Sequence, residues 1–431
     1  MVLTLAKSLR IGSYAAVFVF TLYGFIHGKF SSEKLWYLID NQKNVQNQQN
    51  TRKFEQQKIV LFWHTELPDK SVQEDHMESI KKYIAEAHTL YSPIDECGNC
   101  SFTIDMSKIT DNNTAAVIFL YKFVEPGKMP IKRRNDQLYI YWTKESPSTL
   151  KYYHNETFDF EESIKFNSTM GYRRNSDIYT PFLTSVYRTL QIKDLSDNNV
   201  TWIPMTKNKW AAAVISNCGA TPAAVYRHKL VTKISILSEG RLKTFGKCFR
   251  KQISRKMNSI PNLLKSYKFY LAFENSYHCR DYITEKLFQN AFHGNTVPVV
   301  WGATKADYTS LAPPGSFIFA EDFNSVEELV TYLNYLDRND TAYLEYFRWR
   351  TMRVENFSIV KQTKDLCQLC KIIQGKAKYN ISDPNHVSKF LSGHNSLRSQ
   401  TLQKKVTSLK EWFFEEENKE CLNFRGKSNF Q

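Results

Sequence analysis

With 431 residues, 42% of them hydrophobic and 14% aromatic, the chain has material for the cores of two ordinary domains, which excludes a disordered protein. A formal net charge of +15 invites a nucleic-acid reading, since a basic surface gains affinity for phosphates whatever their sequence. The basic residues are dispersed, however, with their longest cluster at Lys132-Arg133-Arg134. No helix-turn-helix, zinc-finger or RNA-binding motif accompanies them, so nucleic acid is not an expected partner. A local positive field suited to a small anionic ligand is what the charge leaves.

Residues 11–27, IGSYAAVFVFTLYGFIH, are uncharged, with Lys7 and Arg10 before them and Lys29 after. The run is short for a spanning helix but within range. A cleaved signal peptide is the alternative. The aromatic residues continuing through Phe30, with no small-x-small cleavage site, favour a transmembrane signal-anchor. The charge bias then leaves residues 1–10 as a cytosolic tail and the body in the lumen. Residues 28–57, rich in Asn and Gln, show no sustained apolar period and read as a stem. N-x-Ser/Thr sequons at Asn99, Asn112, Asn155, Asn167, Asn199, Asn339, Asn356 and Asn380 all follow the apolar run, as a glycosylated lumenal body requires. The eight cysteines, with C-x-x-C pairs at Cys97/Cys100 and Cys367/Cys370, are either a disulfide framework of an oxidising compartment or a zinc site; a lumenal address favours the first.

Residues 58–205 read as a first α/β domain. Lys58–Trp63 and Ala115–Tyr121 are apolar runs of strand length, and between them Asp75–Leu90 carries Met77, Ile80, Ile84 and Ala87 at helical spacing. A third strand, Leu138–Trp142, ends at Thr143-Lys144-Glu145-Ser146-Pro147. A carboxylate at the carboxyl end of a parallel strand stands where a general base belongs, although a loop glutamate by itself is more often only solvated.

Residues 206–360 read as a second α/β domain. Trp210–Ser216 is a buried strand, Asn217-Cys218-Gly219 a turn, and a helix follows through Thr232. Phe269–Phe273 is a further strand broken by Glu274-Asn275-Ser276. After it the spacing predicts a helix with Asp281 at its N-cap or first turn and Ile283, Leu287, Phe288 and Ala291 on one face. Glu285 and Lys286 then fall in its first turns, where unpaired N–H groups favour a phosphate. Thr296–Trp301 and Ser316–Phe319 are strands, and Ser325 caps a helix through Leu336 with Glu328 at the capping-box position. Residues 361–431 are polar and basic, with a final short helix expected to dock over Glu411–Glu417. There is no internal repeat, no Walker-type loop, no G-x-G-x-x-G and no Asp-x-Asp.

Within Lys268–Gly302, the strings FENS, DYITEKL, NA and VPVVWG resemble the donor-binding motif of the α-1,3-fucosyltransferases, which use GDP-fucose. Two other stretches agree. Trp142-x-x-Glu-Ser-Pro resembles the family's W-x-x-ESP element, and FNSTMGYRRNSDI resembles FNWTMxYRxDSDI, with Ser168 in place of the family's Trp. The chain departs from the family's VSNxxxxxxR element, where Ala224 occupies the Arg register and Arg227 is the nearest arginine, and it carries one extra residue in ENSYHCRDY.

The resemblance implies a GT-B fold, two Rossmann-like domains facing across a cleft, and an inverting transfer with Glu145 as base. It implies donor contacts from Lys286, Glu285, Tyr282, Asn275, Arg227, Tyr172 and Arg173. Cationic groups and a helix terminus stabilise the departing GDP, so no metal is required. The partners implied are GDP-fucose, a glycan acceptor on glycoprotein or glycolipid, and the Golgi membrane, with a single-pass type II topology. The implied disulfides join Cys97 and Cys100 to Cys367 and Cys370, and Cys218 to Cys248; Cys279 and Cys421 are left unassigned. The competing reading is a non-catalytic lumenal descendant of the same fold, supported by Ala224.

Overall fold

The computed structural model describes residues 56–90, 97–130, 134, 136–162, 166–182, 206–254, 259–351, 365–375, 408–414 and 418–425. Met1–Gln57 and Lys58–Gln431 form separate units. The expected anchor, most of the stem and the sequons at Asn199, Asn356 and Asn380 lie outside the described residues. Among the described residues no helix is long and apolar enough to cross a membrane.

The second unit is built on two sheets, each wholly parallel. The first contains β1 (Lys58–Trp63), β2 (Cys100–Thr103), β3 (Thr114–Leu120), β4 (Leu138–Thr143), β5 (Ser168–Gly171) and β6 (Ile178–Tyr179), in the order β2-β1-β3-β4-β5-β6. The second contains β7 (Lys209–Val214), β8 (Leu242–Phe245), β9 (Tyr267–Phe273), β10 (Val297–Trp301) and β11 (Ile318–Phe319), in the order β11-β10-β9-β7-β8. Continuous apolar strands explain this choice, because a strand buried on both faces needs helices above and below it. β9 sends Phe269, Leu271 and Phe273 into one core and Tyr270 and Ala272 into the other. In the first sheet Leu61, Val117 and Tyr141 face one core, and Val60, Ile118 and Ile140 the other.

Caps decide where the helices begin. α1 (Lys70–Leu90) starts five residues before the expected Asp75, because the Asp69 carboxylate accepts from the main-chain N–H groups of Ser71 and Val72. Ser146 caps α2 (Pro147–Tyr152) through the Thr149 N–H, and Thr221 caps α3 (Pro222–Leu237), which runs past the expected end at Thr232. Downstream are α4 (Ser259–Leu264), α5 (Lys305–Leu311), α6 (Val326–Arg338) and α7 (Asp340–Glu345). Ser325 caps α6 as expected, but Glu328 reaches back to the Asn324 N–H rather than that of Ser325, so the capping box is one residue longer.

The C-terminal region is more than a tail. α8 (Asp365–Ile373) places Leu366 and Leu369 in the core with Val60 and Phe62, and α9 (Leu409–Phe414) buries Trp412 and Phe413 beside Tyr141. After α10 (Lys419–Asn423), Phe424 joins the core of the second sheet. The tail therefore completes cores of both sheets, with α9 docking as the sequence leads one to expect.

Two of the described sequons are committed elsewhere. Asn167 Oδ1 accepts from the Tyr139 N–H at 2.7 Å and its Nδ2 donates to Gln137 O at 3.4 Å, extending the β4 ladder through a side chain. Asn339 Oδ1 caps α7 through the Ala342 N–H. A glycan on either would cost these bonds, whereas Asn112 and Asn155 are exposed.

Four disulfides are present: Cys97–Cys367, Cys100–Cys370, Cys218–Cys248 and Cys279–Cys421. The first two each span 270 residues and sit side by side, so either alone keeps that long loop closed. In the chain-entropy model, removing one releases only a small ring and costs about 2–3 kcal/mol, while removing the second as well releases the long loop and costs about 5 kcal/mol more. Urea denaturation of the Cys→Ser single and double variants checks this inequality, and equal successive costs would contradict it.

Candidate active site

Glu145 lies two residues past the end of β4. Its main-chain N–H donates to Thr143 Oγ1 at 3.0 Å, and the next residue, Ser146, caps α2, so Glu145 is held at the carboxyl end of the strand. Burial pushes its pKa up, Lys122 opposes this, Glu285 adds to it and Lys286 opposes it. The last two groups belong to the second sheet's side. Direct contact joins the two strand ends, with Ser146 Oγ 2.5 Å from Ser276 Oγ.

On the opposite wall Glu274 directly follows β9, and its carboxylate is almost wholly buried. Glu274 Oε1 accepts from Thr284 N–H and Oγ1, each at 2.9 Å, and Oε2 accepts from Lys286 Nζ at 3.0 Å. Gly302 at the end of β10 makes this approach feasible, because a Cβ there would come within 2.6 Å of Glu274 Cβ. Lys286 Nζ also donates to Thr284 Oγ1 at 2.7 Å and Glu285 Oε1 at 3.3 Å. Burial disfavours the ammonium, but the two carboxylates outweigh it and raise its pKa above the ordinary lysine value. Burial would raise Glu285 too, yet Lys286 turns its shift downward; Glu274, deeper, stays raised.

Arg227 lies beneath this cluster and is 2% exposed. It is not a surface helix residue: Nη1 donates to Phe273 O at 2.9 Å and Nη2 to Asn217 O at 2.7 Å, tying the ends of β9 and β7. Its buried Nε has no partner among the described residues. Ala224 is fully buried, so an arginine there has no space. Asn275 is anchored by its main-chain oxygen, which accepts from Thr221 Oγ1. Tyr282 sits edge-on to Tyr172, with ring centroids 5.1 Å apart. Burial raises its pKa, and Glu145 and Glu274 add to the shift, so this phenol stands between the two walls.

Two expectations are corrected. Asp281 is not a helix cap. It has a left-handed backbone, φ 60, and its buried carboxylate accepts from Arg174 Nε at 2.7 Å and from the Arg174 N–H at 2.9 Å. The helical segment after it is a π-helix, Lys286–Phe292, with no side-chain cap. Arg173 turns the other way, packing 4.7 Å from the Trp412 ring centroid and donating to Trp412 O, so it braces α9. The arginine that crosses between the sheets is its neighbour Arg174, which also approaches Asp307 at 3.4 Å. Sequence reasoning missed Glu274, Arg174, Asp307 and the Ser146–Ser276 contact. The signal for Glu274 was a carboxylate placed directly after a fully buried strand. Among the described residues no group of three or more His, Cys, Asp or Glu could hold a metal ion.

Arg174→Ala leaves the buried Asp281 carboxylate with Arg280, at 3.9 Å, as its remaining ion-pair partner among the described residues. The expected cost is about 2–4 kcal/mol, at the lower end of the scale for breaking a buried pair because Arg174 is partly exposed. Arg174→Ala combined with Asp281→Asn recovers part of that loss in a double-mutant cycle by denaturation, and strictly additive costs would contradict the interlock.

Two family models match the chain: "Fucosyltransferase, N-terminal" over residues 55–183 and "Glycosyltransferase family 10 (fucosyltransferase) C-term" over residues 204–388. A 4-galactosyl-N-acetylglucosaminide 3-alpha-L-fucosyltransferase of Pan troglodytes is 36% identical over 57% of this chain and 63% of its own length. One of Hylobates lar is 34% identical over 65% of this chain and 70% of its own. The glycoprotein 3-alpha-L-fucosyltransferase A of Drosophila melanogaster is 33% identical over 60% and 48% respectively. The chain thus spans just over three fifths of the first relatives it matches, 63% and 61% of their lengths. A solved alpha1,3-fucosyltransferase with GDP-fucose is similar over 75% of this chain and 91% of its own, at a TM-score of 0.46 and 18% identity. The chain belongs to the glycosyltransferase family 10 fucosyltransferases.

Proposed function

We propose that the protein is an inverting α-1,3-fucosyltransferase, moving L-fucose from GDP-β-L-fucose to a GlcNAc hydroxyl of a glycan carried by a glycoprotein or glycolipid. The observation that carries this reading is the opposition of Glu145, just past β4, to the Glu274–Lys286–Glu285 cluster after β9, across strand ends joined by the Ser146–Ser276 contact and with Glu285 and Lys286 both acting on the Glu145 carboxyl. One wall supplies a base and the other a fixed cation, as a displacement with an anionic leaving group needs.

In this reading Glu145 takes the proton of the acceptor hydroxyl as its oxygen attacks the anomeric carbon, and the bond from that carbon to the diphosphate oxygen breaks on the opposite face. Attack from behind converts the β-linked donor to an α-linked product. The raised pKa brings the carboxylate nearer the operating pH, where proton transfer is most effective. Lys286, kept charged by its two carboxylates, and Arg227 beneath it offset the negative charge growing on GDP, with Tyr282 lining the space between the walls. These cations fill the role a metal plays elsewhere, and the reaction runs without one. The membrane context proposed is a type II anchor in the Golgi, with the body lumenal.

Glu145→Gln keeps shape but cannot take a proton, so turnover falls by about two to four orders of magnitude while GDP affinity holds. In the unmodified protein kcat/KM falls as pH drops through a midpoint above the ordinary glutamate value, since protonation removes the base. Near-normal turnover of the Gln variant would overturn the assignment. Turnover measured in EDTA equals that without it; complete loss restored by a divalent ion would refute the metal-free diphosphate site. GDP binding with no turnover on any glycan would favour the non-catalytic descendant suggested by Ala224.

A further inference from the structure

The loop between β9 and the π-helix carries two non-glycine residues in the left-handed region. His278 has a left-handed backbone, φ 49, as does Asp281. For non-glycine residues such conformations persist only where the surroundings fix them.

The surroundings of His278 do so from three elements. Its Nδ1 lies 2.6 Å from Glu420 Oε2 on α10, and its Nε2 3.3 Å from Glu321 Oε2 in the turn after β11. Its ring stacks on Tyr277 with centroids 3.8 Å apart, and the Tyr277 hydroxyl donates to Glu321 Oε1 at 3.1 Å. The His278 main-chain N–H donates to Gly302 O. The adjoining residues of the two segments, Cys279 and Cys421, are disulfide-bonded and pack against Tyr172 and Tyr282. The other charged groups nearby are paired: Arg280 with Asp281 at 3.9 Å, and Lys305 with Asp322 beside Glu321 at 2.7 Å.

A neutral imidazole donates from one nitrogen and must turn a lone pair on whatever faces the other. With a carboxylate at each nitrogen, only the imidazolium satisfies both. Burial disfavours that charge, but Glu321 and Glu420 outweigh it and raise the pKa above the ordinary histidine value.

We propose that His278, as an imidazolium, is a positioning residue of the donor site: it clamps the loop to α10 and to the turn after β11, and so fixes Tyr282 and the start of the π-helix that carries Lys286. This rests on the reading of Tyr282 and Lys286 as donor residues. Because the folded-state pKa is raised, the clamp is complete below the ordinary histidine range and is lost as pH rises through the elevated value.

The test is thermal melting and GDP titration of the full chain from about pH 6 to 9, across the histidine range and above it, for the unmodified protein, His278→Gln and Glu420→Gln. Glu420 is 73% exposed at its side chain, so its variant folds even if the other does not. The unmodified protein loses melting temperature and GDP affinity as pH rises. His278→Gln binds GDP about threefold to tenfold more weakly at low pH, the equivalent of one hydrogen bond, and no longer shows that pH-dependent loss; Glu420→Gln shifts the loss to lower pH. Variants that titrate in parallel with the unmodified protein, or that change melting alone and leave GDP affinity and its pH dependence intact, overturn the proposal. If none of the three binds GDP, the donor-site reading falls and the positioning role with it, while the pH dependence of melting still reports whether the clamp exists.

Discussion

The buried ion pair between Glu274 and Lys286 is the constraint on which the site depends. A carboxylate with 1% of its side chain exposed and an ammonium with 15% are costly to take from water, and well-packed apolar residues often stabilise such a position as well or better. Stability alone therefore gives no reason for an ion pair at this position. Glu274 is itself held by Thr284 and given room by Gly302, so the strand, the loop and the neighbouring strand all converge on the placement of one cation.

That cation is useful only if the base wall stays opposite it. Arg174 with Asp281, Ser146 with Ser276, and Tyr172 against Tyr282 each cross from the first sheet's side to the second's. The C-terminal segments reinforce the arrangement: Arg173 donates to Trp412 O, Tyr152 Oη to Leu422 O, and Phe424 packs on Tyr277. The cleft is thus defined by several small polar and aromatic locks together with the Cys279–Cys421 bridge.

What could be read in the sequence divides along physical lines. Strands buried on both faces announce themselves as apolar runs, which is why β1, β3, β4, β7, β9 and β10 fall close to where the pattern puts them. Glu145 and Lys286 are singled out by the resemblance of W-x-x-ESP and DYITEKL to the family's motifs, since a charge after a strand or early in a helix is by itself more often only solvated. Contacts between distant segments leave no local signature: nothing in Arg173-Arg174 says which side chain turns to Trp412 and which to Asp281. Asp281 misled because an acid before a helical pattern is an N-cap in most contexts, and here a cross-sheet arginine outcompetes the helix for it.

The proposed transfer of fucose needs these two walls together. It is tested most directly by incubating the purified protein with GDP-β-L-fucose and a panel of N-acetylglucosamine-containing glycans, and reading the products by mass and by the anomeric configuration of the new linkage. The expected product is an acceptor heavier by one fucose in α-linkage, with release of GDP. Donor binding with no acceptor modified, or a product that retains the β configuration, would contradict it.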